Sequence, residues 1–254
     1  MLIDAFTFNN ELDLIEKRLE YLYNYVDRFL IVESNYTHSG KEKPLYFENN
    51  LSRFERFKDK ISLHSLLVDK TYNFSDPWNL EKYQRDSIAS YLNDNSDDDL
   101  IMVSDADEIP NRDMIEAAKK MMIDRNIVRF EQTMFWYNLS TKMVNPHWWL
   151  KSYMTTKKYL IANGASHLRL VCENTDGGIH SGWHLSYFMQ PEKIITKLED
   201  FAHQELNTDY FKDISRINSC INSRKDLFDR DDHEFVEVDP NEFFPPDFIS
   251  IFAK

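Results

Sequence analysis

The first 110 residues alternate short apolar, β-prone runs with segments of helical period, and that alternation restricts the chain to an α/β architecture. Residues 2–8 read as a strand. Leu12, Ile15, Leu19, Leu22 and Val26 then recur at steps of three and four, which puts them on one face of a helix over 11–26. Asn10 is placed to cap that helix, with Glu11 and Asp13 in its first turn, where the dipole favours anions. Further strands are expected at 29–32, 61–68 and 100–103, with helical stretches near 51–58 and over 78–94 between them. This is the order of a doubly wound sheet, in which ligands collect outside the carboxyl ends of the strands. Glu33 and the pair Asp105/Asp107 both fall at such ends.

The second half is less regular. Residues 112–124 read as a helix and 127–135 as a strand, whereas 136–190 mixes aromatics, Gly and His with weak periodicity. Helices are expected over 191–202, with Pro191 in the first turn, and over 208–225, with Phe211, Ile214, Ile217 and Ile221 on one face. The tail, with Pro240, Pro245 and Pro246, is expected to run extended against the core. No internal repeat or linker divides the chain, so a single domain over 1–254 is expected.

Charge narrows the partners. The 254 residues carry a net charge of −13, which disfavours nucleic acid and repels phosphorylated ligands unless a metal or local cations reverse the field. Cys172 and Cys220 match no zinc or redox spacing. The opening MLIDAFTFNNELDL lacks the basic start and long apolar stretch of a signal peptide, and no run reaches membrane-spanning length. A cytoplasmic location is the resulting expectation, with the sequons at Asn35, Asn50, Asn73 and Asn138 read as chance matches.

Asp-x-Asp occurs three times, at 97–99, 105–107 and 229–231. Only the middle copy follows an apolar strand and precedes Glu-Ile-Pro, while the others sit in charge-rich stretches that read as solvated loops. Alternate residues at a strand end can point the same way, and two neighbouring carboxylates repel until a hard divalent cation relieves them. Mg²⁺ or Mn²⁺ held by Asp105 and Asp107 would keep positions open for diphosphate oxygens. The plain alternative is a capping turn in which Asp107 or Asn111 starts the next helix.

Several blocks together resemble glycosyltransferase family 17. They are residues 4–14 (DAFTFNNELDL), 26–34 (VDRFLIVES) with Thr37 and Gly40, and Lys43-Pro44-Leu45. Trp78, Glu81, Gln84 and Arg85 follow, then 104–110 (SDADEIP), 182–186 (GWHLS), and Lys197, Phe201 and His203. The resemblance implies an α/β fold of GT-A type: a Rossmann-like, doubly wound mixed sheet with helices on both faces and C-terminal helices. It also implies a UDP-sugar donor (UDP-N-acetylglucosamine by family), a glycan acceptor and inversion at the anomeric carbon. Residues 1–110 would then bind the nucleotide sugar, 111–205 the acceptor, and 206–254 would supply a C-terminal helix and docked tail. Animal members carry a Golgi membrane anchor that has no counterpart here, which leaves the acceptor open.

Roles for single residues follow from the same likeness. Glu33, Phe8 and Asn9 would flank the nucleoside; a strand-end acid, a core aromatic and a helix cap are their bland readings. Arg85 lies four residues after Glu81, the spacing of a surface ion pair, yet shares a helix row with Ile88 and Leu92 that turns it inward toward donor phosphates. His184, in the stretch Ser181-Gly182-Trp183-His184 whose small residues let backbone approach a ligand, is the candidate third metal ligand, with His167, His180 and His203 as rivals. The general base that inversion requires is expected among Glu131, Glu173 and Asp176, unranked by sequence. Trp136, Trp148, Trp149 and Trp183 are candidates to stack on acceptor sugars. A metal-dependent phosphohydrolase or nucleotidyltransferase, and a non-catalytic glycan-binding domain, are the rival readings.

Overall fold

A computed structural model describes residues 1–252. The apolar runs of the first half become parallel strands, because such runs can be buried on both faces. β1 (Leu2–Phe8) pairs with β2 (Arg28–Ser34), β2 with β3 (Ile61–Leu66), and β1 on its other edge with β4 (Leu100–Asp105). Strand order therefore reverses at β1, and the carboxyl ends of β1, β2 and β4 open on one crevice.

The second half extends this sheet in the antiparallel sense. β5 (Glu108–Ile109), β6 (Ile127–Trp136), β7 (Thr141–Asn145), β8 (Trp148–Thr156), β9 (Gly178–Ser186) and β10 (Glu234–Glu237) complete it. The order is β10-β7-β6-β8-β4-β1-β2-β3, with β9 parallel to β6 and antiparallel to β5. The expected α/β mixed sheet is present, and it runs without a break through both halves of the chain.

Helices cover both faces. On one, α1 (Leu12–Leu22), α4 (Ile115–Met121) and α9 (Pro246–Phe252) bring Ile15, Leu19, Ile115 and Phe248 against Phe6, Phe29 and Met102. On the other, α3 (Pro77–Asp86), α5 (Lys157–Asn163) and α6 (Ala165–Val171) pack Leu80, Leu160 and Leu168 against Ile3, Leu30 and Val103. A third cluster joins α7 (Pro191–Asp200) and α8 (Ile214–Ser223) to the ends of β6 and β7 through Ile194, Leu198, Ile217, Met134 and Met143. Each such side chain contributes roughly 1.5–3 kcal/mol by leaving water. The short α2 (Tyr46–Asn49) follows β2.

Several local expectations are corrected. Asn10 does not cap α1; Glu11 occupies that position and accepts from the backbone N–H groups of Asn9 and Asn10 at 3.1 and 3.0 Å. The helix expected over 78–94 gives way after Asp86 to a 3₁₀ stretch at Ser87–Tyr91. The tail is helical rather than extended, because Pro246 suits a first helical turn and Phe248 and Phe252 fill the core. The region 136–190 holds β7, β8, α5, α6 and β9. Its period was obscured because β9 is buried on both faces and spends inward positions on Ser181, His184 and Ser186. Asp99 is no solvated loop residue: it binds the N-terminal ammonium at 2.8 Å, at the opposite end of β4 from Asp105.

Candidate active site

β4 ends at Asp105, and the turn from Asp105 to Glu108 is held from below by one arginine. Arg18, on α1 and fully buried, forms a two-point ion pair with Asp4 at 2.9 and 2.6 Å. It also donates to Ser104 Oγ at 2.6 Å and to the carbonyls of Asp105 and Glu108 at 2.8 and 3.0 Å. With a longer bond to the Ala106 carbonyl at 3.3 Å, six acceptors surround the five N–H donors of the guanidinium, so every donor is used and the turn's backbone is fixed in place.

From above, the acidic side chains are met by cations from three helices. Asp105 accepts from Arg85 of α3 at 2.8 Å and from Arg169 of α6 at 2.5 Å. Burial opposes its charge, but Arg169 and then Arg85 more than offset that and hold the carboxyl at about 2. Arg85 keeps its helical partner as well, with Glu81 Oε1 at 2.6 Å, but as a buried residue rather than a surface one. Asp107 lies 2.9 Å from Lys197 of α7 and 3.5 Å from His184 Nε2 of β9. Burial again works against ionisation, yet Lys197, followed by His184, holds Asp107 far below the usual carboxylate range. Lys197 is raised in turn by Asp107, against its own burial.

Glu108 looks catalytic by position and is not placed to be. It is fully buried and accepts from Arg169, Trp149 Nε1, Ser152 Oγ and the N–H of Asp105. With both oxygens saturated, it orients Arg169 and the turn. His184 reaches Asp107 because β5 pairs with β9, Glu108 opposite His184. Gly182 permits that approach: its φ is +103°, and a Cβ there would strike the backbone of Ile109, Pro110 and Asn111.

The remaining expected residues are scattered. Glu33 does not face the crevice; it is fully buried and accepts from the N–H groups of Phe47 and Glu48 at the start of α2, with Lys43 at 3.5 Å. It serves as an internal cap, and burial raises its pKa. Phe8 is a core ring set edge-on to Phe47. Asn9 donates to Asp200 Oδ2 at 3.2 Å, bringing the end of β1 to the end of α7. Glu131 pairs with Arg129 at 2.6 Å, Glu173 pairs with Lys151, and the Asp176 side chain is exposed in the loop before β9. Trp136 and Trp183 are core residues, whereas half-buried Trp149 packs 4.4 Å from His184, centroid to centroid.

Arg18, Arg169 and His38 lie around the site without having been marked by the sequence; Glu108, Gln84 and Lys197 entered only as parts of matching blocks. Gln84 donates to the carbonyls of Phe8 and Val32 and meets His38 Nε2 at 3.0 Å. Gln84 and Lys197 were visible only as matched letters, and Arg169 stands in a helix with no distinguishing pattern.

The donor set is compatible with a divalent cation in part. Asp107 and His184 juxtapose a carboxylate oxygen and the imidazole Nε2, which also meets Ser186 Oγ at 3.2 Å, while the other ring nitrogen, Nδ1, is buried without a hydrogen-bond partner. Asp105, the third expected ligand, has both oxygens engaged by guanidinium groups. Among the described residues no three His, Cys, Asp or Glu side chains converge closely enough to hold a metal by themselves. Two protein donors therefore fit, leaving other positions to ligand oxygens or water.

The chain is similar to known proteins over most of its length. A model of glycosyltransferase family 17 matches residues 1–238. The β-1,4-mannosyl-glycoprotein 4-β-N-acetylglucosaminyltransferase of Rattus norvegicus is 28% identical over 277 aligned positions, covering 94% of this chain and 50% of the relative. The protein of that name from Homo sapiens is 27% identical, with 94% and 51% covered. The chain thus spans about half the length of the curated relatives it matches. Among solved structures, a 4-diphosphocytidyl-2C-methyl-D-erythritol synthase aligns with a TM-score of 0.48 at 10% identity, covering 78% of this chain and 97% of that one. S. aureus TarS 1–349 aligns with a TM-score of 0.41 at 12% identity, covering 87% and 69%.

Proposed function

The chain belongs to glycosyltransferase family 17, and from that premise we propose that it transfers N-acetylglucosamine from UDP-N-acetylglucosamine to a glycan acceptor, with inversion and with the help of Mn²⁺ or Mg²⁺. The observation that carries the reading is the Asp105–Asp107 turn at the carboxyl end of β4, ringed by Arg85, Arg169 and Lys197. An acidic pair surrounded by three cations suits a ligand that brings both phosphate oxygens and a metal.

Asp107 and His184 would hold the cation, which when bound supplies charge neutralisation for the departing nucleoside diphosphate. Arg85 and Arg169 keep Asp105 ionised and would add positive charge beside the donor phosphates. Lys197 balances Asp107 and would add a cation beside incoming phosphate oxygens. Trp149, packed on His184, limits water beside the imidazole. Of the three candidate bases, Glu173 is the one its surroundings favour. It directly follows α6, which carries Arg169, and Arg169 donates to the carbonyl of Lys151, the ion-pair partner of Glu173. As base it would take the proton of the attacking acceptor hydroxyl as the bond to the anomeric carbon forms and the bond to the diphosphate breaks.

Calorimetric titration of UDP, UDP-N-acetylglucosamine, GDP and GDP-mannose, with Mn²⁺ and with EDTA, tests the donor assignment. Metal-dependent binding selective for uridine nucleotides, lost in Asp107→Ala, is the expected outcome. Equal binding with EDTA, or an unaffected Asp107→Ala variant, would remove the metal assignment. Binding of glycan without any nucleotide would favour a non-catalytic domain.

A further inference from the structure

The hydrogen-bond network dictates the tautomer of His38. Gln84 Nε2 is fixed as the amide donor because it lies 3.2 Å from the Phe8 carbonyl and 2.8 Å from the Val32 carbonyl, both acceptors only. Its oxygen, Oε1, therefore faces His38 Nε2 at 3.0 Å and must accept. Nε2 carries the proton. Burial lowers the pKa of His38, so the ring is neutral near pH 7 and Nδ1 is a bare lone pair. No group among the described residues donates to Nδ1.

The loop that presents this lone pair is already ordered. Ser39 donates from its N–H to the Asp200 carbonyl at 3.1 Å and from Oγ to the Glu199 carbonyl at 2.7 Å. Thr37 donates to the Lys41 carbonyl at 2.8 Å, and Gly40 takes a φ of +84° against Phe74. His38 thus sits between the ends of β1 and β2, with Glu81, Arg85 and Asp105 as its charged neighbours. A phosphate oxygen would be repelled by a lone pair there, whereas a neutral N–H or O–H would be attracted. Both the sugar and the nucleoside of a nucleotide sugar offer such groups, and at the carboxyl end of the second strand of a doubly wound sheet it is the ribose side of the nucleotide that is bound, which favours the nucleoside.

We propose that His38 is a specificity-determining residue that accepts a hydrogen bond on Nδ1 from the donor's nucleoside, either the N3–H of uracil or a ribose hydroxyl. The inference rests on the nucleotide reading above. Gln84 acts through His38 as a positioning residue, setting the tautomer.

The test is the affinity of UDP, N3-methyl-UDP, 2′-deoxy-UDP and 3′-deoxy-UDP, measured by calorimetry with Mn²⁺ for wild type, His38→Ala and His38→Phe. In wild type one analogue should bind about 5- to 30-fold more weakly than UDP, and which one identifies base or ribose as the source. Both variants should bind UDP weaker by a similar factor and should no longer distinguish that analogue. His38→Phe keeps a ring without an acceptor, so a purely steric penalty from the methyl group would persist in it. Discrimination retained in both variants, or UDP affinity unchanged, overturns the assignment. Failure of wild type to bind UDP at all would instead overturn the nucleotide reading on which it rests.

Discussion

Arg18 Nη1 donates to the backbone carbonyl of Asp105 across 2.8 Å, although 87 residues separate them in the chain. The acidic turn is thus anchored by a helix on the opposite face of the sheet from the helices that supply Arg85 and Arg169. Its carboxylates stay positioned even though each repels the other.

Removing Arg18 should be severe. Arg18→Met strands Asp4 as an unpaired buried carboxylate, and breaking such a pair costs about 3–5 kcal/mol. Arg18→Lys should rescue little, since an ammonium has three donors where six acceptors wait. Denaturant unfolding measures this, and a loss under about 1 kcal/mol in the methionine variant would contradict the anchoring role.

Gly182→Ala should uncouple β5 from β9. The new Cβ meets backbone rather than a yielding side chain, in a left-handed conformation disfavoured for alanine. We expect a lower melting temperature and weaker nucleotide binding together, because His184 loses its register opposite Glu108. A variant that melts and binds like wild type would show that the close approach is dispensable.

Acid stability should report on Asp105. Its folded pKa lies below its ordinary value of 3.8, at about 2, so its stabilising contribution is present above 3.8 and fades as pH falls toward 2. Arg169→Gln should raise that folded pKa and shift acid unfolding to higher pH, and Asp105→Asn should flatten the same limb. An acid limb unchanged in both variants would mean that the arginines do not govern this carboxylate.

Glu173→Gln should separate chemistry from binding. If Glu173 is the general base, kcat falls about 10²- to 10⁴-fold while UDP affinity stays near wild type. Glu131→Gln and Asp176→Asn serve as comparisons, and a larger kcat loss in either would transfer the role to that residue.

Much of the site's frame was legible before folding because it is written in local pattern. Apolar runs of strand length alternate with helix-period segments, and Asp105 and Asp107 directly follow one such run, so their place at a strand's carboxyl end needs only neighbouring residues to read. His184 could be singled out by the Ser181-Gly182 pair just before it, though its distance to Asp107 depends on a strand pairing that no local signal announces. Glu33 shows the limit from the other side. Its position at a strand end was read correctly, but a rotamer directed at the N–H groups of Phe47 and Glu48 turned it inward. Arg18, His38, Arg169 and Lys197 take their roles from α1, the β2 loop, α6 and α7, and none of these stretches marks them out. The sequence by itself determined the elements and the acidic turn, since periodicity and strand ends are short-range properties. Only the tertiary structure decided which cations meet which carboxylates, because desolvation and charge pairing act between side chains that the chain brings together from tens of residues apart.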